Sequence, residues 1–149
     1  MNTAMIAESF VAADPPGQLI SIQRDPERAA AAGGTRGSVQ LRYHSLQLVP
    51  VDLIDGLPGI WAALLDVAGS FLAEGRGQGR YPGLDAEIVL ESTGGTAKFT
   101  AGKVRHIVDA GELIGAILGG AAAYHRFAGS AEPRIAELRG QALAAGISA

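Results

Sequence analysis

The stretch DAEIVLESTGGTAKFTAGKVRHIV, residues 85–108, decides the fold. Apolar and polar residues alternate on both sides of Gly94-Gly95, which is the pattern of two strands joined by a two-residue turn. Counting outward from that turn gives the cross-strand pairs Leu90 with Phe99 and Glu91 with Lys98. Apolar side chains meet each other and opposite charges meet, as cross-strand pairing prefers. The stretch therefore predicts an antiparallel hairpin, which residues 103–108 extend after a kink at Gly102.

The chain before this hairpin predicts further strands. Residues 4–11 and 19–24 form a hairpin around a turn at 14–17, because Asp-Pro-Pro-Gly stops a helix and favours a turn. Residues 38–51 form a strand whose apolar phase shifts by one near His44-Ser45, so a β-bulge or bend is expected there. Between them, the Ala/Gly-rich residues near 25–37 are predicted to be a mobile connection on the surface.

Three helices are expected from apolar residues at helical spacing. The first covers 55–74, with Asp55 as its cap, and buries Trp61 on its apolar stripe. The second covers 109–128 and begins with Asp109 and Glu112 in a capping box. The third begins at a Ser130 cap and ends near residue 145. We therefore predict one α+β domain over residues 1–149: an antiparallel sheet with two or three helices packed on one face.

Composition limits the function classes. The chain has 149 residues, is 48% hydrophobic and carries a net charge of −3, so no basic excess points to nucleic acid. There is no Cys, which excludes thiolate metal sites and Cys nucleophiles. The N-terminus lacks a basic region, and the longest apolar run, residues 113–124, is shorter than the roughly 20 residues of a membrane span. We expect a cytoplasmic protein that binds neither membrane nor nucleic acid.

No motif indicates catalysis. The glycines at 75, 77 and 79 follow a helix rather than a strand, so residues 76–83 are interpreted as a flexible polar loop and not as a phosphate site. The three histidines lack the spacing of metal ligands. We predict no catalytic residue, no metal and no cofactor.

The polar residues left after the core is assigned define a candidate partner surface. An outward sheet face and the glycine-containing loop stay free, and loops on a rigid scaffold often carry recognition. The candidate partner-binding residues are Arg76, Arg80, Glu87, Glu91, Arg42 and His44.

The order of elements over residues 46–127 resembles small bacterial immunity proteins of the WapI type and their uncharacterised actinobacterial relatives. The similar features are a strand, a helix over 57–72, a Gly-containing exit at 75–79, a Gly turn at 93–96 and the helix start Ala110-Gly111-Glu112. The resemblance implies a non-enzymatic protein that binds and blocks a cognate toxin. The mild net negative charge of the chain suits a basic toxin as the partner, because charge complementarity raises association rates.

Two other functions stay open. One is a small-ligand binding protein or enzyme with a pocket between the sheet and the first long helix, using His44, Asp52 and His106 as its polar groups. The other is a structural homodimer through the sheet edge or the C-terminal helix.

Overall fold

The structure, a computed structural model, describes residues 5–13, 18–32, 34–50, 52–94 and 96–147. These residues form four helices and two antiparallel sheets, with 41% of residues in helices and 36% in strands. The predicted α+β class is confirmed. The strands divide between two sheets, however, and one helix more than the sequence indicated is present.

The first sheet is built from the N-terminal part of the chain. Its strands are β1 (Met5–Ala13), β2 (Gln18–Ser21), β3 (Arg36–Tyr43), β4 (Leu46–Gln47) and β5 (Asp55–Gly56). They are ordered β2-β1-β3-β4, and β5 pairs with β3. The antiparallel pairing of β1 with β2 confirms the first predicted hairpin, whose turn at 14–17 lies outside the described residues. Helix α1 (Pro26–Ala32) lies within the predicted connection and buries Ala29.

The prediction of one strand over residues 38–51, with a β-bulge or bend near His44-Ser45, is wrong. The chain turns back at these two residues, and Tyr43 pairs with Leu46 across the turn. His44 has a φ of 57°, in the left-handed region that tight turns use. A two-residue turn and a bulge both break the apolar alternation of a strand, so the sequence pattern could not separate them.

The second sheet is an antiparallel meander from the C-terminal half. Its strands are β6 (Arg76–Arg80), β7 (Glu87–Thr93), β8 (Thr96–Ala101) and β9 (Val104–Asp109), paired in chain order. The predicted register is confirmed, with Leu90 opposite Phe99 and Glu91 opposite Lys98. The expected polar loop at 76–83 is wrong over its first five residues, because they form the edge strand β6.

Three long helices complete the fold, and their ends differ from two predicted caps. They are α2 (Leu57–Glu74), α3 (Ala110–Ala128) and α4 (Arg134–Ala144). Asp109 caps α3 as predicted, since its carboxylate accepts from the Glu112 N–H at 2.8 Å. Gly56, rather than Asp55, is the N-cap of α2, and Pro133, rather than Ser130, is that of α4. The Ser130 hydroxyl instead lies 2.8 Å from Nδ1 of His125.

Helix α2 packs against both sheets. Its Trp61 is 0% exposed, and the indole Nε1 donates to Ser9 Oγ of β1 at 2.8 Å. Its Val67 lies against Gly77 of β6. By length and mean hydropathy, 1.3 over 18 residues, α2 could also cross a membrane, but core helices share these properties, and the core is where α2 lies.

Candidate functional site

One face of the second sheet is left without a covering element in the described chain. The inward residues of β7 and β8, such as Ile88, Leu90 and Phe99, are buried in the core. Side chains alternate along each strand, so the residues between them point the other way. We call this surface the outer face; it consists of Arg76, Gln78, Arg80, Glu87, Val89, Glu91, Thr93, Thr96, Lys98, Thr100, Arg105, Ile107 and Asp109.

The sequence of β6 explains how its arginines reach this face. A Cβ at Gly77 would lie 2.9 Å from the carbonyl carbon of Val67, and one at Gly79 would lie 3.1 Å from Val67 Cγ2. Glycine at these two inward positions lets β6 approach the backbone of α2. Arg76 and Arg80 occupy the alternating outward positions and are exposed. The Gly-x-Gly spacing is therefore a packing device.

Charged side chains form a ladder across the outer face. Glu91 lies 3.7 Å from Arg76 on one side and 3.9 Å from Lys98 on the other. Arg80 binds Asp85 at 2.6 Å, at the end of the face. The Gln78 amide donates to Glu87. All these groups are at least partly exposed, so each pair contributes about 0–1 kcal/mol to stability.

Two residues of β9 stand out from this ladder. Ile107 is 59% exposed, although it lies directly opposite Lys98 among charged neighbours. Arg105, two residues earlier on the same face, is exposed and forms no ion pair with any described residue. An apolar side chain and an unpaired guanidinium thus lie side by side in water.

The six predicted partner-binding residues do not share one sheet. Arg76, Arg80, Glu87 and Glu91 lie together on the outer face. Arg42 lies on β3 of the first sheet, and His44 lies in the turn that follows, with its ring centroid 4.7 Å from that of Tyr43. Sequence reasoning paired Lys98 with Glu91 but did not count Lys98 as a partner-binding residue, and it missed Arg105 and Ile107, although the alternation of residues 103–108 places these two on the same face.

The alternative pocket residues are also spread over different elements. His44 and Asp52 are exposed, whereas His106 is half-buried on the inward side of β9, opposite Phe99. The Nε2 atom of His106 is buried and has no hydrogen-bond partner among the described residues. Within the described ranges, no group of three His, Asp or Glu residues could hold a metal ion.

Two buried residues, the acid Asp55 and the phenol Tyr81, lie near the start of α2. Sequence reasoning predicted Asp55 only as a helix cap and did not single out Tyr81. The Asp55 carboxylate accepts from the N–H groups of Gly56 at 2.8 Å and Gly83 at 2.6 Å, and so ties down the loop after β6. Burial, together with the charge of Asp55, raises the pKa of Tyr81 to about 12. Because backbone donors already occupy both carboxylate oxygens, the arrangement is that of a structural clamp.

A second buried polar cluster lies on the side of the first sheet that faces away from α2. Glu8 is 8% exposed and accepts from the Ser21 hydroxyl and, at 2.7 Å, from Nε of Arg24. Gln40 lies directly opposite Glu8, and its amide donates to Ser38. The one signal in the sequence is the presence of Glu8 within an apolar stretch.

Comparison of the chain with protein families, with curated proteins and with solved structures finds no match.

Proposed function

We propose that this chain is a non-enzymatic protein-binding module that binds its partner through the outer face. The observation that supports this is the exposed Ile107 within a ladder of charged side chains. Antiparallel sheets often leave one face to water, so an uncovered face alone does not indicate binding. A large aliphatic side chain surrounded by polar groups is, however, the arrangement of an interface centre and its rim.

The size of the face defines how a partner would sit on it. Four strands about 4.8 Å apart and five residues of about 3.3 Å each span a plane of roughly 300 Å². A stable complex buries about 800 Å² on each partner. The partner would therefore extend past the sheet onto the loop with Asp85 and the turn with Lys103. Both flank the face and are exposed.

The concrete form of this proposal is an immunity protein that neutralises a cognate bacterial toxin. It is supported by the order of elements that resembles such proteins and by the contacts of the buried carboxylates Asp55 and Glu8. They accept from Gly56 and Gly83 and from Ser21 and Arg24, so they stabilise the fold rather than present reactive groups to a substrate.

Charge reversal on the outer face tests the proposal. The tagged protein and the variants Glu87→Arg, Glu91→Arg and Arg80→Glu are used to capture partners, and each captured protein is then purified and titrated. Arg139→Glu on the exposed side of α4 is the matched control. We expect at least one face variant to bind about tenfold more weakly, which corresponds to about 1.4 kcal/mol, while the control binds normally. Wild-type affinity in all three variants would exclude this surface.

The immunity function has its own readout. Expression of the captured protein should arrest growth, and co-expression of this chain should restore it. A face variant that no longer binds should fail to restore growth. A captured protein that is harmless when expressed alone would contradict toxin neutralisation but would leave protein binding intact.

A second candidate function is a small-ligand binding protein, which is favoured by the unpaired Nε2 of His106. A buried polar atom without a partner costs about 1–3 kcal/mol, which a hydrogen-bonding ligand would recover. A screen of small metabolites by thermal shift tests this. A true ligand should raise the melting temperature of the wild type and not that of His106→Phe, and a screen without such a compound argues against this function.

A further inference from the structure

The charges of the chain are divided unevenly between the second sheet and the rest. Residues 76–109, which span the second sheet, contain five basic residues against four acidic ones, whereas the remaining residues contain seven basic against eleven acidic. The segment is thus +1 within a chain of net −3. The net charge of a whole chain governs its solubility, but a partner at contact distance feels the local charges, because screening is strong beyond about 8–10 Å.

The acidic side chains of the outer face already interact with neighbouring groups of the chain, whereas one of its basic side chains does not. Glu91 interacts with both Arg76 and Lys98, and Glu87 accepts from Gln78. Arg105 has no ion-pair partner among the described residues. An incoming carboxylate would meet a guanidinium without an ion-pair partner there, whereas each carboxylate of the face already interacts with the chain: Glu91 with two cations, Glu87 with the Gln78 amide and Asp109 with the Glu112 N–H.

From this we infer that the outer face recognises an acidic protein surface that carries an apolar residue to cover Ile107. Arg105 and Lys98 then determine the sign of the partner's charge. The inference rests on the proposed protein-binding function and reverses the basic partner that the net charge predicted. Nucleic acid fits less well, because Glu87 and Glu91 would lie against its phosphates and Ile107 would remain exposed.

A selection with a phage-displayed library of random peptides tests the inference without a known partner. The baits are the wild type, the double variant Lys98→Glu/Arg105→Glu, the variant Ile107→Thr and the control Arg139→Glu. All baits must show the wild-type circular dichroism spectrum and melting temperature. We expect enriched peptides with more Asp and Glu than Lys and Arg and with at least one large apolar residue. Their binding should fall at least tenfold on the double variant and on Ile107→Thr, but not on the control.

The other outcomes distinguish a wrong charge of the partner from a wrong choice of interface. Basic peptides that lose binding on Ile107→Thr would overturn the acidic partner and support the outer face as an interface. Peptides that bind all four baits equally, or no enrichment above a bait-free selection, would overturn both the inference and the proposed interface. Synthesis of one enriched peptide with its acidic residues changed to Lys adds a charge-swap control, since this peptide should prefer the double variant.

Discussion

The replacement Gly77→Ala tests the close approach of β6 to α2, on which the whole outer face depends. A Cβ at this position would lie 2.9 Å from the carbonyl carbon and 3.0 Å from Cα of Val67. Non-bonded carbon atoms prefer about 3.5–4.0 Å, so the strand and the helix would have to separate by roughly 0.5–1 Å. The obstacle is helix backbone, which cannot rotate away as a side chain can. We expect a loss of about 1–3 kcal/mol of unfolding free energy.

Urea unfolding followed by the fluorescence of Trp61, the single tryptophan, measures this loss. For a chain of this size the loss corresponds to roughly 3–10 °C in melting temperature. Gly119→Ala is the matched control, because Gly119 lies in α3 with nothing within 4 Å of its added Cβ. This control should be neutral or stabilise by up to about 1 kcal/mol. A Gly77→Ala protein as stable as the wild type would refute the packing argument and return residues 76–80 to the loop interpretation.

Three further changes test other parts of the fold. The raised pKa of Tyr81, 10.0 in the ordinary phenol and about 12 here, means that the folded chain keeps a proton that the unfolded chain loses above pH 10. This difference contributes up to roughly 2–3 kcal/mol to the free energy of unfolding; the contribution is present below pH 10 and is lost as the pH rises to 12. Urea unfolding across this pH range should show a smaller loss of stability for Tyr81→Phe than for the wild type. An equal loss would contradict the raised pKa of Tyr81. Trp61→Phe leaves the buried Ser9 hydroxyl unpaired and should cost about 1–3 kcal/mol in thermal unfolding, with Trp61→Phe/Ser9→Ala costing less than the sum of its single changes. Asp109→Ala removes the cap of α3 and should cost about 0.5–2 kcal/mol, whereas Asp109→Asn should retain most of the stability; equal losses in the two variants would speak against a capping role.

The second sheet shows how much of the fold local sequence determines. The hairpin around Gly94 was predictable down to its register, because turn residues and alternation agree over both strands. Strand β6 was not, because two glycines remove the apolar half of its alternation. This strand depends on its packing against α2, and such a tertiary contact produces no periodic pattern in the sequence.

The cap of α2 illustrates a similar limit. Asp55 precedes a good helical pattern, so a capping role was the natural prediction. In the structure its carboxylate binds the N–H of Gly83, a residue 28 positions further along the chain. A carboxylate that can serve two sets of backbone donors is assigned only when the second set is located, and that requires the fold.

The candidate surface was only partly predictable, because its composition also depends on the tertiary fold. Alternation shows correctly that Glu87 and Glu91 point outward, and it places Arg105 and Ile107 at the outward positions of β9. It does not show which sheet a strand joins. Arg42 was therefore grouped with residues of a sheet to which β3 does not belong.

The two sheets differ in what covers the side turned away from α2, and this difference favours the second sheet as the recognition surface. On the first sheet, α1 packs against β1 and β2, and the polar residues Glu8 and Gln40 on that side are buried. Glu8 and the Gln40 amide bond to groups of the chain, and Gln40 Oε1, which has no partner among the described residues, is buried out of a partner's reach. On the second sheet, Arg105 and Ile107 lie in water, without an ion pair or an apolar cover in the described chain. A partner that supplies both a carboxylate and an apolar side chain gains from each contact on the outer face, where Ile107 is 59% exposed, compared with 40% for Ile6 of the first sheet.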